Sequence, residues 1–229
     1  MKKKITYSQS GVNYQELDPI KKIAQSAAFS TTKNLKKLGL SEVPGTRGES
    51  AYVWKQGNYF MASVIEGLGT KNLVADAVFK LSKKYYYDVI AQDTVATIIN
   101  DLISVGAVPI VIHAYWAQSK GGFLSDLLKL KNFVKGWEKA CNISGVSWGG
   151  GETPSLSGII TKPTVDLGGS AVGIIKNEKD LITDKKLRGG DRIVLIKSNG
   201  INANGLTLAR AVAKKLPKGY GTKLPNGKL

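Results

Sequence analysis

The chain is poor in the residues that build disulfide, zinc and serine-hydrolase sites, with one cysteine (Cys141) and one histidine (His113) among 229 residues. A single cysteine excludes an internal disulfide and is typical of a reducing compartment. We find no cluster of zinc ligands and no Ser-His-Asp arrangement. No apolar run approaches the roughly 20 residues that cross a bilayer, and no apolar segment follows the basic N-terminus as it would in a secretory signal. We therefore expect a cytoplasmic protein without a membrane partner.

Acidic residues are also scarce, since 17 Asp and Glu stand against 33 Lys and Arg, giving a formal net charge of +16. A strongly basic chain attracts polyanions, including nucleic acids. However, the lysines are scattered, and no helix-turn-helix, zinc-finger or RNA-binding aromatic signature is present. The simplest interpretation is a lysine-rich, solvated surface. Attraction of a small phosphorylated substrate is the alternative, and no nucleic-acid partner is expected.

What remains is typical of a globular protein, with 42% hydrophobic and 22% charged residues. Helical and strand patterns alternate along the chain, which predicts an α+β or α/β fold. The predicted helices cover residues 19–38, 72–83, 89–105 and 124–141, and a last one runs to 216. The predicted strands cover residues 52–54, 59–65, 108–117, 164–175 and 192–198. A polar linker begins at residue 176, so we predict one domain over 1–175 and the incomplete start of a second α/β domain over 176–229.

The stretch "VIEGLGTK" (residues 64–71) joins a predicted strand to a predicted helix. Gly67 and Gly69 lie where the backbone must turn sharply or approach a ligand closely. Thr70 is a candidate N-cap, and a helix N-terminus suits a phosphate group. The spacing is not that of a Walker loop. A phosphate site and a purely structural turn both remain open from these residues alone.

The predicted helix over 89–105 has a polar face without cations. Steps of 100° per residue place Asp93, Thr97, Asn100, Asp101 and Ser104 in one sector, opposite an apolar side. The segment contains no lysine or arginine although the chain is rich in both. Carboxylate and amide oxygens are the ligands that Mg²⁺ prefers. This face predicts a magnesium site, with an ordinary polar face as the alternative.

Three further features carry less information. The glycine-rich "GGGET" (residues 149–153) suits either a ligand loop or a tight turn between core elements. His113 lies in an apolar strand, so we expect it to be a packed core residue. Cys141 ends a predicted helix, and we expect it to be buried.

Motifs in one order along nearly the whole chain resemble the AIR synthase family (phosphoribosylformylglycinamidine cyclo-ligase). They are "YSQSGVN" (7–13), "SVIEGLGTK" (63–71), "DTVATIINDL" (93–102) followed by "GAVP", "GGET" (150–153) and "SNGINANGLTL" (198–208). The set in register is much more specific than any single motif. Taken together, they identify the chain as similar to this family.

The resemblance implies a mixed-sheet first domain whose strands pair with a second copy in a shared barrel, and hence a homodimer. It also implies ATP and Mg²⁺ as cofactors and formylglycinamidine ribonucleotide as substrate. ATP would phosphorylate the formyl oxygen, the neighbouring amine would attack, and phosphate would leave as the imidazole ring of this purine-biosynthesis intermediate closes. By position, the implied metal ligands are Glu66, Asp93, Asp101 and Glu152. The implied nucleotide contacts are Gly67, Gly69, Thr70, Lys71 and Asn100, with Gly45, Arg47 and Gly48 of the loop "GTRGES". No catalytic residue is assigned.

The chain departs from the family pattern at four positions. Asn13, Glu66 and Ala114 replace aspartates of the family motifs, and Asn202 replaces a histidine. The family's members are also longer, so we expect most of the second domain to be missing. Two alternatives follow: another ATP-using member of the superfamily, such as a thiamine-monophosphate-kinase-like enzyme, or a non-catalytic nucleotide-binding or dimerisation module.

Overall fold

A six-stranded mixed sheet forms the centre of the computed structural model, which describes residues 5–198, 200–223 and 225. Its order is β1-β2-β3-β6-β4-β5; β4 and β5 are parallel, and the other neighbours are antiparallel. The strands are β1 (Ser41–Glu42), β2 (Tyr52–Gln56), β3 (Tyr59–Gly67), β4 (Val108–Gln118), β5 (Ser147–Glu152) and β6 (Val165–Ile175). The predicted mixed sheet with helices is therefore confirmed.

The helices that build the core pack on one face of this sheet. The helices are α1 (Tyr14–Ser30), α2 (Lys33–Lys36), α3 (Asn72–Ser82), α4 (Tyr87–Ser104), α5 (Leu127–Ser144) and α6 (Leu206–Ala213). Helix α4 contacts β3 and β6, and α5 packs against α4. Val95, Ile98 and Leu102 of α4 are fully buried, as are Phe133 and Trp137 of α5. The apolar side predicted for the 89–105 segment is thus the side that α4 turns to the sheet.

The other face of the sheet is open among the described residues. Strand side chains alternate between the two faces, so Ile112 and Ala114 are buried under the helices while His113 and Tyr115 are exposed. The prediction of a packed core position for His113 is therefore wrong. Ile65 of β3, which β6 separates from β4, is 82% exposed on the same open face.

Gly169 of β6 lies where the structure leaves no room for a side chain. Gly169 pairs with Glu66 of β3 in the strand register. A Cβ on Gly169 would lie against the backbone carbonyl of His113 and 2.9 Å from Cδ1 of Ile98. A side chain at this position would therefore displace the backbone of β4, whereas the terminal methyl group of Ile98 is the flexible end of its side chain and can turn away.

Helix boundaries follow local capping rather than the apolar pattern. Helix α1 begins after Asn13, whose side-chain oxygen accepts a hydrogen bond of 3.2 Å from the Gln15 N–H and whose amide donates to Glu16. The helix predicted over 19–38 thus starts earlier, and it ends at Ser30. Similarly, α5 begins after Asp126, which accepts from the Lys129 N–H at 3.0 Å.

Two segments of the sheet and linker differ from the prediction. The glycine-rich residues 147–152 form the edge strand β5, whereas we expected a loop. Residues 192–198 form no strand, although their β-branched sequence predicts one. Ile193 and Ile196 are 89% and 92% exposed. A strand requires a neighbour to pair with, and none lies beside this segment among the described residues.

Two other expectations can be compared with the fold. Cys141 is buried, as predicted. The helices found in the described part of the chain are all too short or too polar to cross a membrane. The domain boundary at residue 175 stays a prediction.

Candidate functional site

One cavity of about 390 Å³ gathers most of the acidic residues singled out from the sequence. Its floor is the end of β3, where Glu66 lies on the helix side of the sheet, and its wall is the polar face of α4. The segment 202–204 forms the opposite wall. The residues that line this carboxylate pocket are Glu66, Asp93, Ala96, Thr97, Asn100, Asp101, Asn202, Ala203 and Asn204.

Glu66 lies close enough to Asp101 for its negative charge to act on the Asp101 carboxyl. Burial, and then the negative charge of Glu66, raise the pKa of the Asp101 carboxyl. Neither carboxylate forms an ion pair within the described residues. Glu66 accepts one hydrogen bond of 2.9 Å, from the N–H of Gly67. These two carboxylates are therefore under-compensated, which is the condition that a cationic ligand relieves.

Asp93 is in a different state, because Lys71 forms an ion pair with it. The same ammonium donates a hydrogen bond of 3.2 Å to the backbone carbonyl of Asn202. Lys71 precedes α3 and thus connects the start of this helix to α4 and to the segment 202–204.

Two polar contacts also join the walls of the pocket. The hydroxyl of Thr97 on α4 donates to Oδ1 of Asn204 at 3.4 Å, and the hydroxyls of Thr70 and Thr207 are 3.5 Å apart. Thr70 is not the N-cap of α3, as we predicted, since Lys71 holds that position without a side-chain capping bond. Instead, the Thr70 hydroxyl helps to hold the start of α6 against the pocket. Gly69, with φ of 74°, makes the turn that precedes it.

The donor set of the pocket fits Mg²⁺. Among the described residues no group of three or more His, Cys, Asp or Glu side chains converges on one point, so the three carboxylates do not form a complete cage. Mg²⁺ usually takes one or two protein carboxylates and completes its shell with water and substrate phosphates. Glu66 and Asp101 meet that requirement. Their oxygen ligands and the raised Asp101 pKa are the observations that favour a hard cation here.

Glu152 lies outside the carboxylate pocket. It lines a second cavity of about 440 Å³ on the open face of the sheet, together with Ile65, His113 and Tyr115. Strand β5 brings Glu152 beside Tyr115 in register. The structure thus does not bring Glu152 together with the other three predicted metal ligands, and its role stays a prediction.

The predicted nucleotide loop also lies apart from the pocket. Gly45 lines a cavity of about 210 Å³ with the end of α4 and residues 182–184, and Gly48 packs against Gln25 of α1. Arg47 is held in place by the Glu42 cluster, which consists of Glu42, Arg47, Tyr52 and Thr32. These three loop residues stay predictions as nucleotide contacts.

The Glu42 cluster satisfies its charges internally. The Arg47 guanidinium forms an ion pair with Glu42, and the hydroxyls of Tyr52 and Thr32 each donate to Glu42 at 3.0 Å. The hydrogen bond from Arg47 is the main cause that lowers the pKa of the Glu42 carboxyl. Glu42 is only 9% exposed at its side chain. The cluster fastens β1 to β2 and to the start of α2, which gives it a structural role.

Asn204 and the backbone of Asn202 are functional candidates that sequence reasoning missed. The segment "NGINANG" suggested a turn, and no periodicity connects it to α4. Its match to a family motif was the available signal. Its place in the pocket depends on tertiary packing.

A family model described as "AIR synthase related protein, N-terminal domain" matches residues 48–175. These residues contain β2 to β6 and helices α3 to α5, which build the sheet and one wall of the pocket. The chain therefore belongs to the AIR synthase related proteins. The class defined by fold and pocket is the N-terminal domain of that family.

Two relatives found by sequence agree with this assignment. The chain is 37% identical over 218 residues to phosphoribosylformylglycinamidine cyclo-ligase from Pyrococcus furiosus, covering 95% of this chain and 60% of that protein. It is 30% identical over 223 residues to human trifunctional purine biosynthetic protein adenosine-3, covering 97% and 21%. The solved structure of AaThiL complexed with AMPPCP and TMP has a TM-score of 0.49 and 12% identity, over 76% and 45% of the two chains. This chain therefore spans 60% of the length of its Pyrococcus relative.

Proposed function

We propose that the protein is an ATP-dependent phosphoribosylformylglycinamidine cyclo-ligase of purine biosynthesis. ATP phosphorylates the formyl oxygen of formylglycinamidine ribonucleotide, the neighbouring amine attacks the activated carbon, and phosphate leaves as the imidazole ring closes. The observation that carries this proposal is the carboxylate pocket. It is built from segments that match relatives named for this activity across 95% of the chain.

Each wall of the pocket has a part in this reaction. Glu66 and Asp101 would hold Mg²⁺, directly or through water, and the bound ion would bind the phosphates and offset their negative charge. The Asn100 amide and the Lys71 ammonium supply donors to phosphate oxygens. Gly67, Gly69 and Thr70 allow the nucleotide to approach the start of α3, where the helix dipole favours a negative group. Catalysis of this type depends mainly on positioning and electrostatics.

The open sheet face supports a homodimer as part of the same proposal. It carries exposed apolar side chains on β3 and β4, among them Ile65, Val108, Ile110 and Tyr115. An extended apolar face of this kind favours burial against a partner. A second copy pairing through these strands would also cover the cavity that Glu152 lines, which is how Glu152 could join a metal or nucleotide site.

A second candidate function is a non-catalytic nucleotide-binding or dimerisation module. The observation that favours it is the segment 192–198, whose apolar side chains remain exposed and unpaired in the described structure. The chain spans 60% of the length of its Pyrococcus relative. Binding without turnover is the expected behaviour of such a module.

A turnover measurement distinguishes the cyclo-ligase from the non-catalytic module. The protein is incubated with Mg–ATP and formylglycinamidine ribonucleotide, and ADP, phosphate and the ring-closed product are quantified together. We expect all three in equal amounts. Stabilisation by Mg–ATP without product would favour the module, and the absence of both stabilisation and product would contradict the proposed function.

A further inference from the structure

Lys71 holds groups on two walls of the carboxylate pocket. Its ammonium forms an ion pair with Asp93 of α4 and donates to the carbonyl of Asn202 at 3.2 Å. The side chains of Lys71 and Asp93 are 20% and 26% exposed. Both charges are thus partly withdrawn from solvent, where salt screens an ion pair less than on an open surface.

The ion pair uses a carboxylate that a divalent cation would also bind. Ammonium and Mg²⁺ both bind carboxylate oxygens, and they repel each other at short range. The other two ion pairs found in the described residues, Glu42 with Arg47 and Asp76 with Lys129, involve no residue that lines the pocket. Lys71 is therefore the cation that the fold brings to this group of carboxylates.

Building on the proposed function, we propose that Lys71 is a resident counter-cation that competes with the divalent metal for Asp93. When the metal binds, Lys71 gives up the carboxylate, and its bond to the Asn202 carbonyl keeps the ammonium at the pocket. A phosphate that arrives with the metal gives the displaced ammonium a new partner. Free metal offers no such partner. Lys71 thereby lowers the affinity for metal alone and favours metal bound to a phosphorylated ligand.

The test uses Mn²⁺ alone, followed by electron paramagnetic resonance, on the wild-type protein and on Lys71→Met. We expect Lys71→Met to bind Mn²⁺ about three- to tenfold more tightly, because the competing cation is removed. Lys80→Met is the matched control, since Lys80 is an exposed lysine on α3 and the change removes the same charge. Lys80→Met should bind Mn²⁺ like the wild type, and Lys71→Arg, which keeps the charge, should remain close to it.

Two additional measurements test whether the change in Mn²⁺ affinity depends on Asp93 and whether it reverses with a phosphorylated ligand. In an Asp93→Asn background, Lys71→Met should raise the Mn²⁺ affinity much less, because the carboxylate under competition is gone. Binding of Mg–ATP, measured by calorimetry, should weaken in Lys71→Met while binding of Mn²⁺ alone tightens. Thermal unfolding without ligand confirms that each variant is folded, and Lys71→Gln serves if Lys71→Met is not.

The outcomes separate this inference from the proposed function. Equal Mn²⁺ affinity in wild type and Lys71→Met would overturn the inference and leave the function standing. If Lys71→Met raised the Mn²⁺ affinity equally in the Asp93→Asn background, the inference would also be overturned, because removal of a nearby positive charge would then explain the gain. Tighter Mn²⁺ binding by Lys71→Met in a protein that does not bind Mg–ATP would support the competition for Asp93 and remove the function. No Mn²⁺ binding by either protein would overturn both.

Discussion

The Glu42 cluster and the Glu66–Asp101 pair are both carboxylate sites beside the sheet, and their charges are compensated in opposite ways. Glu42 receives the Arg47 guanidinium and two hydroxyl donors, and its carboxyl has a lowered pKa. Asp101 lies near a second carboxylate without an ion-pair partner in the described structure, and its pKa is raised. The Asp101 carboxylate can therefore still bind a cationic ligand, whereas the Glu42 carboxylate is already paired with Arg47.

The difference distinguishes a carboxylate with a structural role from one that is available to bind a ligand in this fold. Arg47 and Glu66 were both singled out as site residues by their positions in the sequence. Arg47 fastens β1, since its guanidinium bonds Glu42, and its contact with a nucleotide stays a prediction. The contacts leave Glu66 with one backbone donor. Perturbed carboxyls that lack an internal partner are the better candidates for a functional site.

The largest effect is expected from Asp101→Ala. Loss of a metal ligand should weaken Mg–ATP binding about 100-fold, or about 2.7 kcal/mol. The unfolding free energy without ligand should stay the same or rise, because the change removes an under-compensated carboxylate. Calorimetry and thermal unfolding with and without Mg–ATP measure the two effects. If Mg–ATP still stabilises the variant, Asp101 is not a metal ligand, and the Glu66–Asp101 pair does not differ from the Glu42 cluster in ligand binding.

A smaller effect, on stability alone, is expected from Glu42→Gln. The change leaves Arg47 without its ion-pair partner in a poorly exposed position, which should lower the unfolding free energy by about 2 kcal/mol. Urea unfolding measures it, and Glu138→Gln at an exposed position of α5 is the control. Mg–ATP affinity should not change. Weakened nucleotide binding at undiminished stability would instead assign the Arg47 loop to the nucleotide.

The smallest expected effect is on the pH dependence of the unfolding free energy, to which Asp101 and Glu42 should contribute with opposite signs. The folded-state pKa of Asp101 is raised, so the wild type should lose stability relative to Asp101→Asn as the pH rises above the ordinary Asp value of 3.8. The folded-state pKa of Glu42 is lowered, so the wild type should lose its advantage over Glu42→Gln as the pH falls below the ordinary Glu value of 4.5. Unfolding free energies at several pH values test both signs. Slopes of the same sign would remove the contrast between the two sites.

The sequence predicted those features that depend on local periodicity. Asp93 and Asp101 share the polar face of α4 because the helical repeat fixes which residues lie together. The turn at Gly69 between β3 and α3 was also predictable from the glycine and the change of pattern. Most helices and strands were found for the same reason.

Features that depend on tertiary neighbours were not predictable in this way. His113 belongs to a strand that is apolar on both faces, and the sequence does not state which face the helices cover. The strand-forming residues 192–198 pair with no neighbour in the described structure. The contact between Lys71 and Asn202 joins segments far apart in the chain, and no spacing rule connects them.

Gly169 has a consequence for how this pocket tolerates change. It pairs with Glu66 in the strand register, and a Cβ there would collide with the His113 carbonyl of β4 and lie 2.9 Å from Cδ1 of Ile98 on α4. Even Gly169→Ala would strain the pairing of β4 with β6, and β6 is the strand whose pairing with β3 positions Glu66. The position of one carboxylate of the pocket thus depends on a residue without a side chain. Variation at this buried position should be as restricted as variation at the carboxylates themselves.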